Sequence, residues 1–205
     1  MTMNLKETYN KIAKDWHKEK RTDTWWIEGT DTFISLLKPG SSVLDAGCGP
    51  GIKSKYLSDN SLRVTGIDFS EKLIEIARRE VPKAEFMVMG MKDVRGLACE
   101  FDAIFMQASL LHIPKREALS VLSGLVSKLK PGGYLYVAVK GVRPGGEEES
   151  VLKEDNYGYS YERFFSYYSM DELKGYCKSL NLKIVYENQK LVGHTDWLQI
   201  VGKRE

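Results

Sequence analysis

The chain has 205 residues, 42% of them apolar, and a net charge of +2. That suits one domain with a sizeable core and gives no global attraction to nucleic acid or an anionic membrane. No apolar run approaches the roughly 20 residues of a membrane span, and the polar start "MTMNLKETYNKIAKDWHKEK" has no signal-peptide core. Cys48, Cys99 and Cys177 show neither metal spacing nor a paired framework. These features predict a cytoplasmic protein with no metal site, whose thiols are reduced, buried and inert.

In chain order, two helices come first, at roughly 5–20 and 30–38. The first puts Tyr9, Ile12, Ala13 and Trp16 on one face. "SSVLDA" reads as a strand, "GIKSKYLSD" as a short helix and "LRVTGID" as a second strand. "SEKLIEIARREVP" is a helix: Leu73, Ile74, Ala77 and Val81 share a face, Ser70 caps the start and Pro82 stops it. "AEFMVM" and "FDAIFMQ" supply strands three and four. "REALSVLSGLVSKLKPGG" predicts a helix with Leu119, Leu122, Leu125, Val126 and Leu129 inward, and "YLYVAVK" a central strand covered on both faces. Residues 141–168 are the longest irregular stretch, with seven aromatics in their second half. "SMDELKGYCKSL" opens with a capping box from Ser169 and Glu172. "LKIVYENQKLV" and "TDWLQIVGK" are separated only by "GH", too short for a crossover helix, so they must pair antiparallel. Alternating strands and helices of this kind make an α/β fold with a mostly parallel sheet.

The turn "VLDAGCGPG" carries the chemistry. A strand ending in glycines that open a helix suits a nucleotide-like ligand, because glycine permits positive φ and close backbone approach, while the helix start offers free N–H donors. A dinucleotide fingerprint is G-x-G-x-x-G. Here the spacing is Gly47-x-Gly49-x-Gly51, with Asp45 just before it. A carboxylate there repels pyrophosphate and suits a ligand with a positive group and no phosphate, such as S-adenosylmethionine. Asp68, 17 residues after Gly51, ends the second strand where an acid can accept both ribose hydroxyls, and Phe69 can pack on adenine.

"VLDAGCGPG", "VTGIDFS", "FDAIFMQASLLHIP" and "LKPGGYLYVAVK" together resemble the successive motifs of the class I, Rossmann-like S-adenosylmethionine-dependent methyltransferases. "ASLLHIP", "RFFSYYSMDEL" and "DWLQIVGKR" are similar to a group of small bacterial members of undefined substrate. The resemblance covers roughly residues 5–205. It implies a three-layer sandwich around a seven-stranded sheet of order 3-2-1-4-5-7-6, with strand seven antiparallel. It further implies that Asp45, Gly47 and Gly49 line the methionine portion, Asp68 holds the ribose, Phe69 flanks the adenine and Gln107 lies beside the transferred methyl. After strand three the family often has an acid. Gly90 stands at that position here, leaving backbone near Met91, or Asp93 in a shifted alignment, to meet the adenine. The first helix keeps the family's Tyr9 and Ala13 but has Asn10 and Trp16 at the other motif positions. Tyr9 and Trp16 then have two readings, core packing or a lid over the cofactor.

The expected organisation is one domain over 1–205: a helical cap (1–40), a cofactor-binding core (41–140), a lid or strap (141–168), and a final helix with an antiparallel hairpin (169–205). Methyl transfer needs nucleophile and methyl held in line, so a base is optional. His112 is a weak candidate for one, against a structural role. Tyr161 and Arg163 in the aromatic stretch are weak acceptor contacts. The acids Glu147, Glu148, Glu149, Glu154 and Asp155 argue against nucleic acid as partner. The expected activity is methyl transfer to a small-molecule acceptor, leaving S-adenosylhomocysteine. The alternatives are a nucleic-acid or protein methyltransferase, or a cofactor-binding module without catalysis. The oligomeric state stays open.

Overall fold

β1 (Ser42–Ala46), β2 (Arg63–Asp68), β3 (Glu85–Val88), β4 (Phe101–Gln107) and β5 (Leu129–Lys140) form a parallel sheet in a computed structural model that describes residues 4–205. The first three residues of the expected 1–40 cap lie outside the described residues. β9 (Thr195–Arg204) joins β5 antiparallel, and β8 (Leu182–Val192) pairs with β9 antiparallel. The order is β3-β2-β1-β4-β5-β9-β8. This is the expected seven-stranded order, because β6 (Glu149–Glu154) and β7 (Tyr161–Ser166) stand outside the sheet as a separate antiparallel hairpin.

Side chains alternate across each strand, and the core divides accordingly. On one face Val43, Ala103, Phe105, Tyr136 and Val201 pack under Phe33 of α2 (Ile27–Ser35) and Leu57 of α3 (Ile52–Asp59). On the other, Leu44, Ile104, Val137 and Ile200 pack under Leu122 and Leu125 of α5 (Lys115–Val126) and Leu173 of α6 (Met170–Ser179). α4 (Glu71–Glu80) is capped by Ser70, and Ser169 and Glu172 form the expected capping box on α6. α1 (Leu5–Lys20) docks on α4 through Asn10, whose Oδ1 accepts from Ser70 Oγ at 2.7 Å and whose Nδ2 donates to Glu71 at 2.9 Å.

Four expectations change. α2 begins three residues earlier than 30 and ends at Ser35. α5 stops at Val126, Leu129 already belongs to β5, and Leu119 is 41% exposed. The buried stripe runs through Ala118, Val121, Leu122 and Leu125, one step round the helix from Leu119. Residues 141–168 are irregular only in part, because within them β6 and β7 pair residue by residue from Glu149↔Ser166 to Glu154↔Tyr161. Cys99 is exposed, whereas Cys48 and Cys177 are buried as expected. Among the described residues no helix is long and apolar enough to cross a membrane, and none of their His, Cys, Asp and Glu side chains form a metal-holding group of three.

Candidate cofactor and acceptor site

A cavity of about 340 Å³ lies at the carboxyl edge of β1, β2, β4 and β5, where open α/β sheets place their ligands. Gly47, Gly49, Asp68, Phe69, Met91, Gln107, Tyr9, Trp16, His112 and Arg163 all line it. The ends of β1, β2 and β4 and the segment after β3 bring Gly47, Gly49, Asp68, Phe69, Met91 and Gln107 to it from below, while α1 and β7 supply Tyr9, Trp16 and Arg163 from the other side.

The turn after β1 divides its work among three glycines with left-handed backbone. A Cβ on Gly47 would lie 2.4 Å from the Cβ of Ser109, so the close approach there is to the loop after β4. A Cβ on Gly51 would press on Ala77 of α4 at 3.1 Å. Nothing lies within 4 Å of a Cβ on Gly49, which also lines the cavity, so this glycine is the one that presents open backbone to a ligand.

Asp68 is held in place by the turn it faces. Its Oδ2 accepts from Gly49 N at 3.0 Å and its Oδ1 from Ser70 N at 2.9 Å. An ionised carboxylate offers about four acceptor sites, so both oxygens keep capacity toward the cavity. Burial raises its pKa to about 6, against the two backbone bonds that favour the charged form. The neighbouring Phe69 ring sits 5.8 Å from that of Tyr9.

Asp45 is corrected. It is 2% exposed and does not reach the cavity wall. On β1 it points to the same side as Val43, toward α3, where Ser54 Oγ donates to it at 2.6 Å. It therefore acts on the turn from behind. Burial raises its pKa to about 6.

Gln107 accepts from the Tyr136 hydroxyl at 2.9 Å, while its buried Nε2 has no partner, and neither has the buried Oγ of Ser109. Both residues line the cavity. Unpaired buried polar atoms are costly, and here both belong to residues of the cavity wall.

His112 is held on both nitrogens. Nδ1 lies 2.7 Å from the carbonyl of Phe164 and Nε2 lies 2.7 Å from the Tyr9 hydroxyl. A carbonyl only accepts, so the proton sits on Nδ1 and Tyr9 donates to Nε2. Burial lowers the His112 pKa to about 3 and raises that of Tyr9 to about 12, so both stay neutral. The pair fastens α1, the loop after β4 and β7 together.

Tyr161 stands apart from the cavity wall. It is buried against Tyr9, Ile12 and Ala13, its hydroxyl bonds Asn156, and it stands two residues nearer the hairpin tip than Arg163. Arg163 does reach the wall. Its guanidinium is bound to both oxygens of Glu154 at 2.6 Å and lies 4.7 Å from the Trp16 ring, so its charge is already met.

Sequence reasoning missed part of the wall: Lys53, Lys140, Ser109, and the stacked pair Trp25–Trp197 with ring centroids 3.9 Å apart. Lys140 had a signal, since it closes the apolar "YLYVAVK" at a carboxyl strand end. The tryptophans had none, being brought together from opposite ends of the chain.

Residues 43–133 match the family model described as "Methyltransferase domain". Curated relatives include the ubiquinone biosynthesis O-methyltransferase of Xanthomonas campestris pv. campestris, 33% identical over 119 residues, 56% of this chain and 49% of that one. The enzyme of the same name from Dechloromonas aromatica is 29% identical over 179 residues, 82% of this chain and 72% of that one. The chain thus spans about half the length of the first of these relatives. Among solved structures, a Methanosarcina mazei S-adenosylmethionine-dependent methyltransferase aligns with a TM-score of 0.73 at 23% identity, over 84% of this chain and 96% of that one. The Burkholderia thailandensis 1,6-didemethyltoxoflavin-N1-methyltransferase, with S-adenosylhomocysteine bound, aligns at 0.76 and 17%, over 98% and 87%. At these identities the structural likeness shows the fold. That fold is the Rossmann-like one of these methyltransferase neighbours, and the match to the methyltransferase model is confined to residues 43–133.

Proposed function

We propose that the chain transfers the methyl group of S-adenosylmethionine to a small organic acceptor. The observation that carries this is Asp68, fixed by two backbone N–H groups at the cavity wall beside the open Gly49. In this reading Asp68 accepts the ribose hydroxyls, Phe69 and the Met91 backbone border the adenine, and Gln107 offers its free Nε2 to the methionine portion. Gly47 lets the turn close, and Asp45 braces it through Ser54. The bound cofactor supplies a methyl group on a sulfonium, an excellent leaving group.

The chain's own residues then bind, orient and exclude water, which is sufficient for an in-line displacement. His112 is not assigned as a base, because Tyr9 occupies its acceptor nitrogen. Tyr9 and Trp16 serve as a roof, so residues 4–40 and 141–168 close over the 41–140 core, while 169–205 complete the sheet. The ubiquinone and toxoflavin relatives are named for small-molecule acceptors, and a roofed cavity of about 340 Å³ fits that class better than a polymer.

Calorimetry with S-adenosylhomocysteine tests the reading. Two charged hydrogen bonds contribute about 2–4 kcal/mol together, allowing for non-additivity, so Asp68→Ala should weaken binding by at least ~30-fold. Equal affinity in a folded variant removes Asp68 from the site. Turnover of S-adenosylmethionine with a metabolite pool separates an enzyme from a binding module.

A further inference from the structure

Two lysines on the cavity wall stand outside every close ion pair, with Asp23 and Asp45 acting on Lys53, and Glu154 on Lys140, only from a distance. Lys20 and Arg163 also line it, but Lys20 has Glu19 and Asp23, and Arg163 has Glu154. Neither Lys53 nor Lys140 has an ion-pair partner among the described residues. Lys20 and Arg163 are thus neutralised, and Lys53 has Asp23 and Asp45 nearby, so Lys140, in no ion pair and held over an aromatic ring, is the cation left on this wall for an anion.

The two lysines stand at different ends. Lys53 lies in the first turn of α3, the helix opened by the glycine turn, so the amino-acid carboxylate of the cofactor is within its province. Lys140 is the last residue of β5, beyond Gln107. Its Nζ sits 4.0 Å over the ring of Phe165. It is directly opposite Trp197 across the β5–β9 pair, so the two side chains share a face, and Trp197 stacks on Trp25. Burial, helped by the charge of Arg163, lowers the Lys140 pKa to about 8, the signature of an ammonium short of solvation and partners.

We infer that the acceptor is a small planar organic carboxylate, its anionic group on Lys140 and its apolar body against Phe165 and the Trp25–Trp197 pair. This rests on the methyltransferase reading and specifies the substrate class of the same cavity. A carboxylate fits better than a phosphate: a single ammonium among aromatic rings balances one charge. The guanidinium fork that would grip a phosphate is taken by Glu154.

The test uses 2-naphthoate and its uncharged isostere 2-naphthamide as probes, titrated calorimetrically into the protein at pH 7, with and without S-adenosylhomocysteine. Wild-type protein should bind the naphthoate at least ~10-fold more tightly, a difference of about 1.4 kcal/mol. Lys140→Arg should keep the preference, and Lys140→Met, checked for folding by circular dichroism, should reduce it below ~3-fold. Equal affinity for the two probes in wild-type protein, including no binding of either, overturns the inference without need of any variant. So does a folded Lys140→Met that keeps the preference. If S-adenosylhomocysteine itself fails to bind, the cofactor reading falls separately, while the ratio of the two probes still decides the anion site.

Discussion

The turn that ends β1 and the hairpin that follows β5 border the same cavity, yet they are made by different physics. The turn is local. Gly47, Gly49, Gly51, Asp68 and Ser70 satisfy one another over short stretches of two adjacent strands, and each residue type is dictated by backbone geometry or a free N–H. The hairpin is positioned from afar. Its Arg163 stacks on Trp16 of α1, and its Phe164 carbonyl meets His112 after β4. Backbone rules therefore define the turn's end of the cavity, the cofactor end of our proposal, and side-chain packing between distant segments defines the hairpin's end, the proposed acceptor end.

The largest expected effect breaks the local end. Gly47→Val adds a branched side chain at φ +83°, with its Cβ 2.4 Å from Ser109. Backbone strain of about 1–3 kcal/mol and overpacking of similar size should together cost about 2–6 kcal/mol. For a domain of this size the melting temperature should fall by at least ~4 °C, with S-adenosylhomocysteine binding lost in calorimetry. A variant as stable as wild type would show that the turn tolerates a side chain and is not defined by its backbone.

A second test falls on the distant end. His112→Asn removes the ring that joins Tyr9 to the Phe164 carbonyl, leaving buried groups unpaired at about 1–3 kcal/mol. Once an acceptor is known, turnover should fall by less than ~100-fold, because the histidine fastens the roof rather than moving a proton. General acid–base groups contribute about 10²–10⁴, so a several-thousand-fold drop in turnover with binding intact would make His112 the base.

The same contrast explains what was legible in the sequence. The sheet order, the caps at Ser70 and Ser169 and the terminal β8–β9 hairpin follow from periodicity, turn chemistry and a two-residue junction. Asp68 was legible as a strand end beside glycines. The β6–β7 hairpin was not: β6 alternates little, with Val151 and Leu152 both exposed, so no buried face marked it as a strand. Asp45 was legible as part of the turn, but the direction of its side chain was not, since only the pairing of β1 decides which way it points. Cys99 needed its loop's position before it could be called exposed.

Asp45 also provides a smaller test, through pH. Burial raises its folded-state pKa to about 6 from a reference of 3.8. The folded protein then holds that proton across a range where the unfolded chain has released it, so this group's stabilisation is lost as pH rises from about 4 to about 6. Asp45→Asn can still accept from Ser54 and carries no charge to bury. Its melting temperature relative to wild type should rise between pH 4.5 and pH 7.5, by an amount corresponding to on the order of 2 kcal/mol. A flat difference would mean that Asp45 is solvated, and that the turn is open to water from behind.

The smallest effect sharpens the boundary of the acceptor end. Tyr161 shares a face of β7 with Arg163 and Phe165, but it lies nearer the hairpin tip, and its hydroxyl is taken up by Asn156 within the same hairpin. Tyr161→Phe removes only that bond and keeps the ring stacked with Tyr157 at 5.4 Å. The change in stability should stay below ~1.5 kcal/mol, the range for one intramolecular hydrogen bond. The KM for an acceptor should not move, whereas replacing Lys140 should raise it. A Tyr161→Phe variant with unchanged melting but an acceptor KM raised tenfold would bring the tyrosine hydroxyl into the acceptor pocket. The hairpin tip would then have to swing inward to carry it there.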